Sequence, residues 1–219
     1  MGNPYKGKWK GVGQYSSTIE VDFVFSEIMC KMRMKRIEKG SVTTYTGLGI
    51  LFNGTLYVSR IHSSEANFKP IGGIGIYSPV GDTNSFYALW TSFRIYDKLG
   101  SGVGVKKSDH DIFYEGQFYI QYYDVVNGFK SFDLIIDEIN EEEGISLLNW
   151  SSSGKTCLRG IGMKDEENMA LAWGDPDLAW EIVKYKLAPT NKSKMNGWVS
   201  NLADNKIMKE ELLLINQEN

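Results

Sequence analysis

The chain has very few of the residues that disulfide frameworks and metal centres use. Among its 219 residues there are two cysteines, Cys30 and Cys157, and two histidines, His62 and His110. Two thiols far apart along the chain are too few for a disulfide framework and suit reduced cysteines in a reducing compartment. His62 stands alone at a predicted strand end, and His110 lies between two aspartates whose side chains point in alternating directions. The sequence therefore predicts no metal site, no haem ligand and no cofactor.

Long hydrophobic runs and an excess of positive charge are also missing. No apolar run approaches the length of about 18 residues that a spanning helix needs, and the opening "MGNPYKGKWK" lacks the hydrophobic core of a signal peptide. A net charge of -3 argues against nucleic-acid binding. The basic segment 30–39 alternates charged with apolar residues, which predicts a strand with a solvated cationic outer face, or less often a surface for an anionic partner. We expect a cytoplasmic protein without a membrane or nucleic-acid partner, or a secreted one if an export signal has been removed.

Motifs typical of enzymes are missing as well. The sequence contains no nucleophile elbow, no metal-ligand spacing and no recognisable pair of catalytic carboxylates. The glycine-rich stretch 99–107 leads into a predicted strand and not into a helix, so it offers no helix N-terminus to hold a phosphate. We therefore expect a protein that is not an enzyme and keep an enzyme of unknown type as the third possibility.

Glycine and aromatic residues are abundant and favour β-structure. The chain has 23 glycines against 5 prolines, with 12 tyrosines, 10 phenylalanines and 6 tryptophans, and aromatic side chains suit a pleated surface. Apolar and polar residues alternate in 18–25 and 55–61, which predicts half-buried strands. Asn53 and Gly54 predict a type I′ hairpin turn between two of them. Strands are expected near 5–14, 18–26, 29–38, 43–52, 55–62, 71–78, 86–94 and 101–107.

The second half of the chain repeats this pattern. "YKGKW" at 5–9 matches "YEGQF" at 114–118, and 45–60 matches 158–173 with its paired glycines in step. Segment 73–77 matches 181–185, Trp90 matches Trp198, and 102–107 matches 210–215. Offsets that stay between 108 and 113 residues are typical of duplication followed by insertions in loops. The sequence predicts two repeats, 5–108 and 114–216, and a final strand at 209–215.

Eight short strands with local connections close most readily into a small barrel, because closure removes exposed sheet edges. The predicted fold is all-β, with two tandem antiparallel up-and-down β-barrels of about eight strands each. One barrel is expected in 1–109 and the other in 110–219. A single larger barrel or flattened clam built from both repeats is the alternative.

Gly7, Lys8 and Trp9 form a Gly-x-Trp that resembles the opening strand of calycins, the group of lipocalins, fatty-acid-binding proteins and avidins. The resemblance implies that Trp9 plugs the closed end of a barrel, with Phe118 in its place in the second repeat. The segments "ALAWG" at 170–174, "IVKY" at 182–185 and "NGW" at 196–198 are similar to those of a group of bacterial repeat proteins. The calycin resemblance implies a small apolar ligand.

The aromatic residues exceed what the core of a small barrel needs, which favours a pocket with aromatic walls and a few polar anchors. The candidate ligand-binding residues are Arg60, Tyr77, Trp90, Arg94, Trp173, Tyr185 and Trp198. We predict a binding protein for a small apolar or aromatic molecule held within a β-barrel. The alternative is an interaction module that binds a protein or a glycan through exposed strands and aromatic patches.

Overall fold

The computed structural model describes residues 3–12, 16–23, 26–63, 70–81, 84–95, 97–107, 114–124, 126, 128–204 and 206–216. These residues form sixteen strands. The strands of the first half are β1 Gly7–Val12, β2 Ser16–Phe23, β3 Met29–Glu38, β4 Ser41–Phe52, β5 Thr55–His62, β6 Gly72–Pro79, β7 Ser85–Ser92 and β8 Gly100–Lys106. Those of the second half are β9 Gly116–Asp124, β10 Gly128–Asn140, β11 Ile145–Ser152, β12 Lys155–Asp165, β13 Asn168–Gly174, β14 Trp180–Ala188, β15 Asn191–Asn201 and β16 Met208–Asn216. None of the described residues forms a helix long and apolar enough to cross a membrane.

The strands close into two antiparallel barrels of eight strands each. The first barrel contains β1–β5 together with β14–β16, and the second barrel contains β6–β13. In the second barrel every strand pairs with its neighbours in the chain, and β13 closes the circle on β6. The predicted all-β fold of two eight-stranded barrels is confirmed, and the strands do not form the single larger barrel.

The two barrels do not coincide with the predicted ranges 1–109 and 110–219. The second barrel is continuous in sequence, from Gly72 to Gly174, and is inserted between β5 and β14 of the first barrel. The reason is the pairing of β5: β5 pairs with β14 along 180–185 and not with β6, the next strand in the chain. Each barrel therefore contains strands from both halves.

This arrangement exchanges strands between the two sequence repeats. The first repeat supplies β1–β8 and the second supplies β9–β16, and each barrel combines the first five strands of one repeat with the last three of the other. Val58 on β5 lies opposite Val183 on β14, and the equivalent Leu171 on β13 lies opposite Gly75 on β6. Both barrels thus keep a complete set of eight strands.

Two equivalent tyrosines join the repeats at the closed ends of the barrels. The Tyr5 hydroxyl lies 2.7 Å from the carbonyl oxygen of Gly54 and 3.3 Å from that of Tyr185. Tyr114 makes the equivalent contacts, at 2.8 and 2.9 Å, with the carbonyl oxygens of Glu167 and Tyr77. In each case one contact stays within the repeat and the other reaches the exchanged strand. The shared pattern supports both the duplication and the exchange.

Each barrel has its own apolar interior, and a third apolar cluster lies between the barrels. Trp9 is buried in the interior of the first barrel, where its Nε1 donates a hydrogen bond to the Tyr5 carbonyl, and Phe118 is buried in the second. The cluster between the barrels contains Tyr57 and Ile61 of β5. Residues 55–61 are consequently buried on both faces, whereas their alternation predicted half-buried strands. The outward face of β5 is covered by the other barrel and not by solvent.

Asp165 makes a polar contact between the barrels. Its carboxylate accepts a hydrogen bond from the Tyr57 hydroxyl at 2.5 Å and lies 3.2 Å from the Lys184 ammonium and 3.5 Å from the Lys186 ammonium. Burial alone would raise the pKa of Asp165, but the hydroxyl and the two lysines hold it below its ordinary value. The ionised carboxylate therefore stabilises the packing of β12 against β5 and β14.

Several local predictions are confirmed. Asn53 and Gly54 both have positive φ, 49° and 76°, as a type I′ turn requires. The predicted final strand at 209–215 lies within β16. His62 is exposed at the end of β5, with its ring edge against Tyr45, and His110 lies outside the described residues.

Candidate functional site

The second barrel encloses a cavity of about 310 Å³. The cavity lies toward the end at which β7 and β9 finish, and Phe118 occupies the opposite, closed end of the barrel. Its walls are mainly aromatic, and the rings that line it are Tyr77, Trp90, Tyr122, Phe132, Trp150 and Trp173. The alternation of side chains along a strand directs these rings into the barrel, because residues two apart share a face.

Glycines on two strands have different effects on the cavity. A Cβ added to Gly100 would fall 2.2 Å from the Trp90 ring, so glycine is needed there for Trp90 to lie across β8. A Cβ added to Gly75 would meet its nearest atom, in Leu171, at an ordinary 3.4 Å. Gly75 therefore leaves open space inside the barrel instead of making room for a neighbouring ring.

The inner wall of the cavity carries a small hydrogen-bonded group. The hydroxyls of Tyr77 and Tyr122 lie 2.5 Å apart, and Trp150 Nε1 donates to the Tyr122 hydroxyl at 2.8 Å. Burial raises the pKa of both tyrosines, so that they stay neutral at ordinary pH. The Trp90 ring lies 5.9 Å from the rings of Tyr122 and Trp173, with edge-to-face geometry in both pairs. These contacts fix the shape of an apolar wall that contains only a few polar atoms.

The charged residues of the described lining lie at the mouth of the cavity. Arg94 lies in the turn after β7. Lys130 lies opposite Tyr122 in the pairing of β10 with β9, so these two residues share the inward side. Both side chains are exposed. Asp124 also lines the mouth, where its Oδ1 accepts a hydrogen bond from the Val126 N–H at 2.7 Å. The described part of the mouth thus carries two positive charges and one negative charge.

Cys157 contributes a free thiol to the same rim. Its Sγ lies 3.4 Å from the Trp150 carbonyl oxygen, and the residue is exposed. Partial burial of the thiol raises the pKa of Cys157, which disfavours the thiolate. Among the described residues no group of three or more histidine, cysteine or acidic side chains is placed to hold a metal ion.

The structure brings together four of the seven residues predicted to bind a ligand. Tyr77, Trp90, Arg94 and Trp173 all line the cavity of the second barrel. Tyr77 and Trp90 come from the first repeat and Trp173 from the second, so the strand exchange is what places them in one barrel.

Arg60 and Tyr185 lie together in the first barrel and not in the cavity. The Arg60 guanidinium is 2.5 Å from Glu181 and 3.3 Å from both Glu210 and the Tyr185 hydroxyl, which itself donates to Glu210 at 2.6 Å. Burial alone would lower the pKa of Arg60, but the two glutamates and Tyr185 raise it. Only 1% of Arg60 is exposed. The group fills the interior and leaves no free cation to anchor a ligand.

The first barrel has a depression of about 490 Å³, but it is not an interior cavity. Its lining combines Met34 and Tyr45, which pack into the barrel, with Arg33 and Lys35, which lie on the outer face of the same sheet. Arg60 does not line this depression, although its Nη1 lies 3.2 Å from the sulfur of Met34, which does. The space therefore follows the outer rim of the sheet.

Trp198 lies on the outer surface of the first barrel. The Lys184 ammonium sits 5.0 Å from the centroid of its ring, and the ring packs against the cluster between the barrels. Tyr77 and Tyr185 hold equivalent positions, and the residues paired with them are Ala88 and Gly197. Two residues further along each strand lie Trp90 and Val199. Val199, and not Trp198, therefore holds the position of Trp90. The sequence match was one residue out of register, and such a slip turns a side chain to the other face.

Several cavity residues were not predicted from the sequence. Trp150, Tyr122 and Lys130 belong to strands whose match to the first repeat is weak. Leu134 and Ile19 hold equivalent positions in the two barrels. Trp150 is paired with Leu134 and Met34 with Ile19, so Trp150 holds the position of Met34. The alternation of Phe118, Ile120 and Tyr122 was the one available signal for an inward-facing Tyr122.

Comparison of the chain with protein-family models, with curated proteins and with solved structures finds no match.

Proposed function

We propose that the second barrel binds a small apolar or aromatic molecule in its cavity. The observation that carries this proposal is a space of about 310 Å³ with six aromatic rings in its walls, whose charged lining residues, among those that the structure describes, lie at its mouth. Ligand sites typically combine apolar walls with a few placed polar groups, and this volume lies at the small end of their usual range. The proposal keeps the protein a binding protein that is not an enzyme, and both of its cysteines are free, which suits a reducing compartment.

The cavity volume limits the size of the ligand. Water occupies about 30 Å³ per molecule in the liquid, so the cavity has room for roughly ten to fifteen non-hydrogen atoms. A compact one- or two-ring compound fits this space, whereas a haem or a long acyl chain does not. The proposal therefore concerns compact ring compounds.

The first barrel has a structural role in this proposal. Arg60 fills the position that Trp173 holds in the second barrel, and Val183 fills the position of Gly75. Val183 is larger than Gly75, and Arg60 together with its partners Glu181, Glu210 and Tyr185 fills the interior beside it. We therefore assign ligand binding to the second barrel alone.

Substitution of Gly75 provides a direct test. Gly75→Val introduces the residue of the filled barrel and should remove most of the binding of compact ring compounds, with 2-naphthamide as the reference probe in isothermal titration calorimetry. Gly75→Ala is the matched control: its single methyl group fits at ordinary contact distance, so binding should weaken only slightly while stability rises by about 0.5–1 kcal/mol. Failure of a panel of neutral bicyclic compounds to bind, or binding that survives in Gly75→Val, contradicts the proposal.

One observation favours the second candidate function, binding of a protein or a glycan. The outer face of β7–β10 exposes a group of large apolar side chains: Tyr87, Val103, Val105, Tyr119, Tyr123 and Phe129. The Tyr123 and Phe129 rings lie 5.1 Å apart on this face. Exchange of Tyr119 and Phe129 for serine changes this surface without reaching the cavity. A binding activity that is lost in this double variant and kept in Gly75→Val would belong to the outer face.

A further inference from the structure

We infer that the ligand of the second barrel is a compact aromatic anion whose acidic group lies at the mouth, between Arg94 and Lys130. This inference rests on the proposed function and adds the charge of the ligand. Arg94 and Lys130 both line the cavity: Arg94 lies two residues after the end of β7, and Lys130 lies on β10 opposite Tyr122 of the aromatic wall.

Both cations are exposed where they line the cavity. Among the described residues neither Arg94 nor Lys130 makes an ion pair or a side-chain hydrogen bond, whereas Lys107 and Lys164 of the same barrel pair with Asp133 and Glu138. An arginine and a lysine beside one apolar cavity provide charge-assisted hydrogen bonds to a carboxylate or a similar acid.

The single carboxylate at the mouth does not reverse this preference. Asp124 is buried, and its Oδ1 accepts the Val126 N–H. The lining residues that the structure describes therefore carry one net positive charge. Aromatic walls can also bind a cation through the ring faces, but Arg94 and Lys130 would repel a cation that enters past them. The charge balance of the mouth favours an anion.

The acidic group belongs at the mouth and not at the inner wall. An ionised group beside Tyr77 and Tyr122 would lose its water, and burial of a charge without a paired countercharge is costly. At the mouth the same group keeps part of its hydration and lies beside two cations. The aromatic part then extends inward toward Trp90 and Trp173.

Two probes of the same shape test the inference. 2-Naphthoate and 2-naphthamide differ mainly in charge, so we expect the wild-type protein to bind the naphthoate about five- to tenfold more tightly at low ionic strength, as two exposed charge pairs allow. Added salt should reduce this preference. The double variant Arg94→Gln/Lys130→Gln should lose this preference and bind the naphthoate no more tightly than the naphthamide. Lys98→Gln/Lys209→Gln removes two exposed positive charges that do not line the cavity, and it should keep the preference.

The outcomes separate this inference from the proposed function. Equal binding of the two probes by wild type, a preference that survives in Arg94→Gln/Lys130→Gln, or tighter binding of 2-(aminomethyl)naphthalene as a cation each overturns the inference and leaves the proposed function standing. If the wild-type protein binds none of the probes, charged or neutral, both the inference and the proposed function are wrong.

Discussion

The exchange of strands between the repeats predicts which cysteine pairs can form a disulfide. Val58 and Val183 lie directly opposite each other, and Cα atoms of opposite residues in an antiparallel pair are about 4.5–5.5 Å apart. This separation lies within the range of about 4.4–6.8 Å that a disulfide spans. Gly75 holds the place of Val183 in the other repeat and would face Val58 if each repeat closed on itself. In the structure Val58 and Gly75 point into different barrels, whose facing sheets are about 10 Å apart at typical packing distance.

The assay compares two double variants in a background without the native cysteines. Val58→Cys/Val183→Cys should oxidise almost completely under mild conditions, and Val58→Cys/Gly75→Cys should remain reduced. A protease site placed in 108–113 then separates the halves of the chain, so the first disulfide holds the two fragments together on a non-reducing gel. Equal thermal unfolding of the reduced variants serves as the control for folding. Rapid oxidation of the 58–75 pair, with none of the 58–183 pair, would refute the exchange.

Three further predictions concern buried groups. Arg60→Leu leaves two glutamates without their buried cation and should lower the free energy of unfolding by about 3–5 kcal/mol in urea titrations, whereas unchanged stability would show that the ion pairs are not formed. The lowered pKa of Asp165 makes its contribution complete above the ordinary aspartate pKa of about 4 and lost as the pH falls through the lowered value. Asp165→Asn should therefore cost about 1–2 kcal/mol at pH 7 and flatten the acid side of a plot of Tm against pH, and an unchanged plot would contradict the contact with Tyr57. Iodoacetamide should modify Cys157 in the folded protein and spare Cys30, because burial excludes the reagent and raises the pKa of Cys30 to about 12; mass mapping that finds both labelled would contradict the buried position.

Strands and their number were predictable from the sequence because each strand has its own local pattern. The predicted segments 29–38 and 55–62 have the same bounds as β3 and β5. Turn residues explain this agreement, since Asn53 and Gly54 adopt the positive φ values that end β4 and begin β5. The repeat also predicted that Trp9 and Phe118 hold equivalent positions, and both are buried.

The exchange could not be predicted from those patterns. β6 and β14 carry matching sequences, so β5 satisfies the same inward and outward alternation with either strand. The choice depends on the packing between the barrels, where Ile74 of β6 and Ile182 of β14 meet in one cluster. Local periodicity carries no information on such distant packing.

The candidate site was predictable in composition but not in membership. Arg60 and Trp173 hold equivalent places, and nothing in their local sequence distinguishes an arginine paired with buried glutamates from one that faces a ligand. The ion pairs of Arg60 involve Glu181 and Glu210, which lie more than a hundred residues away in sequence. Trp198 was misplaced because a shift of one residue in a strand reverses its face.

The exchange makes the cavity a shared property of the two repeats. Tyr77, Trp90 and Arg94 come from the first repeat, whereas Trp150 and Trp173 come from the second. If each repeat closed on itself, Tyr77 and Trp90 would lie in the same barrel as Arg60. Arg60 would then lack its two glutamate partners, because Glu181 and Glu210 belong to the other repeat. The same rearrangement would separate the aromatic wall and leave a buried arginine unpaired, which is strongly unfavourable. The side chains of the two barrels are therefore complementary only in the exchanged arrangement, and this single choice of strand partner both pairs the charges of the first barrel and assembles the cavity of the second.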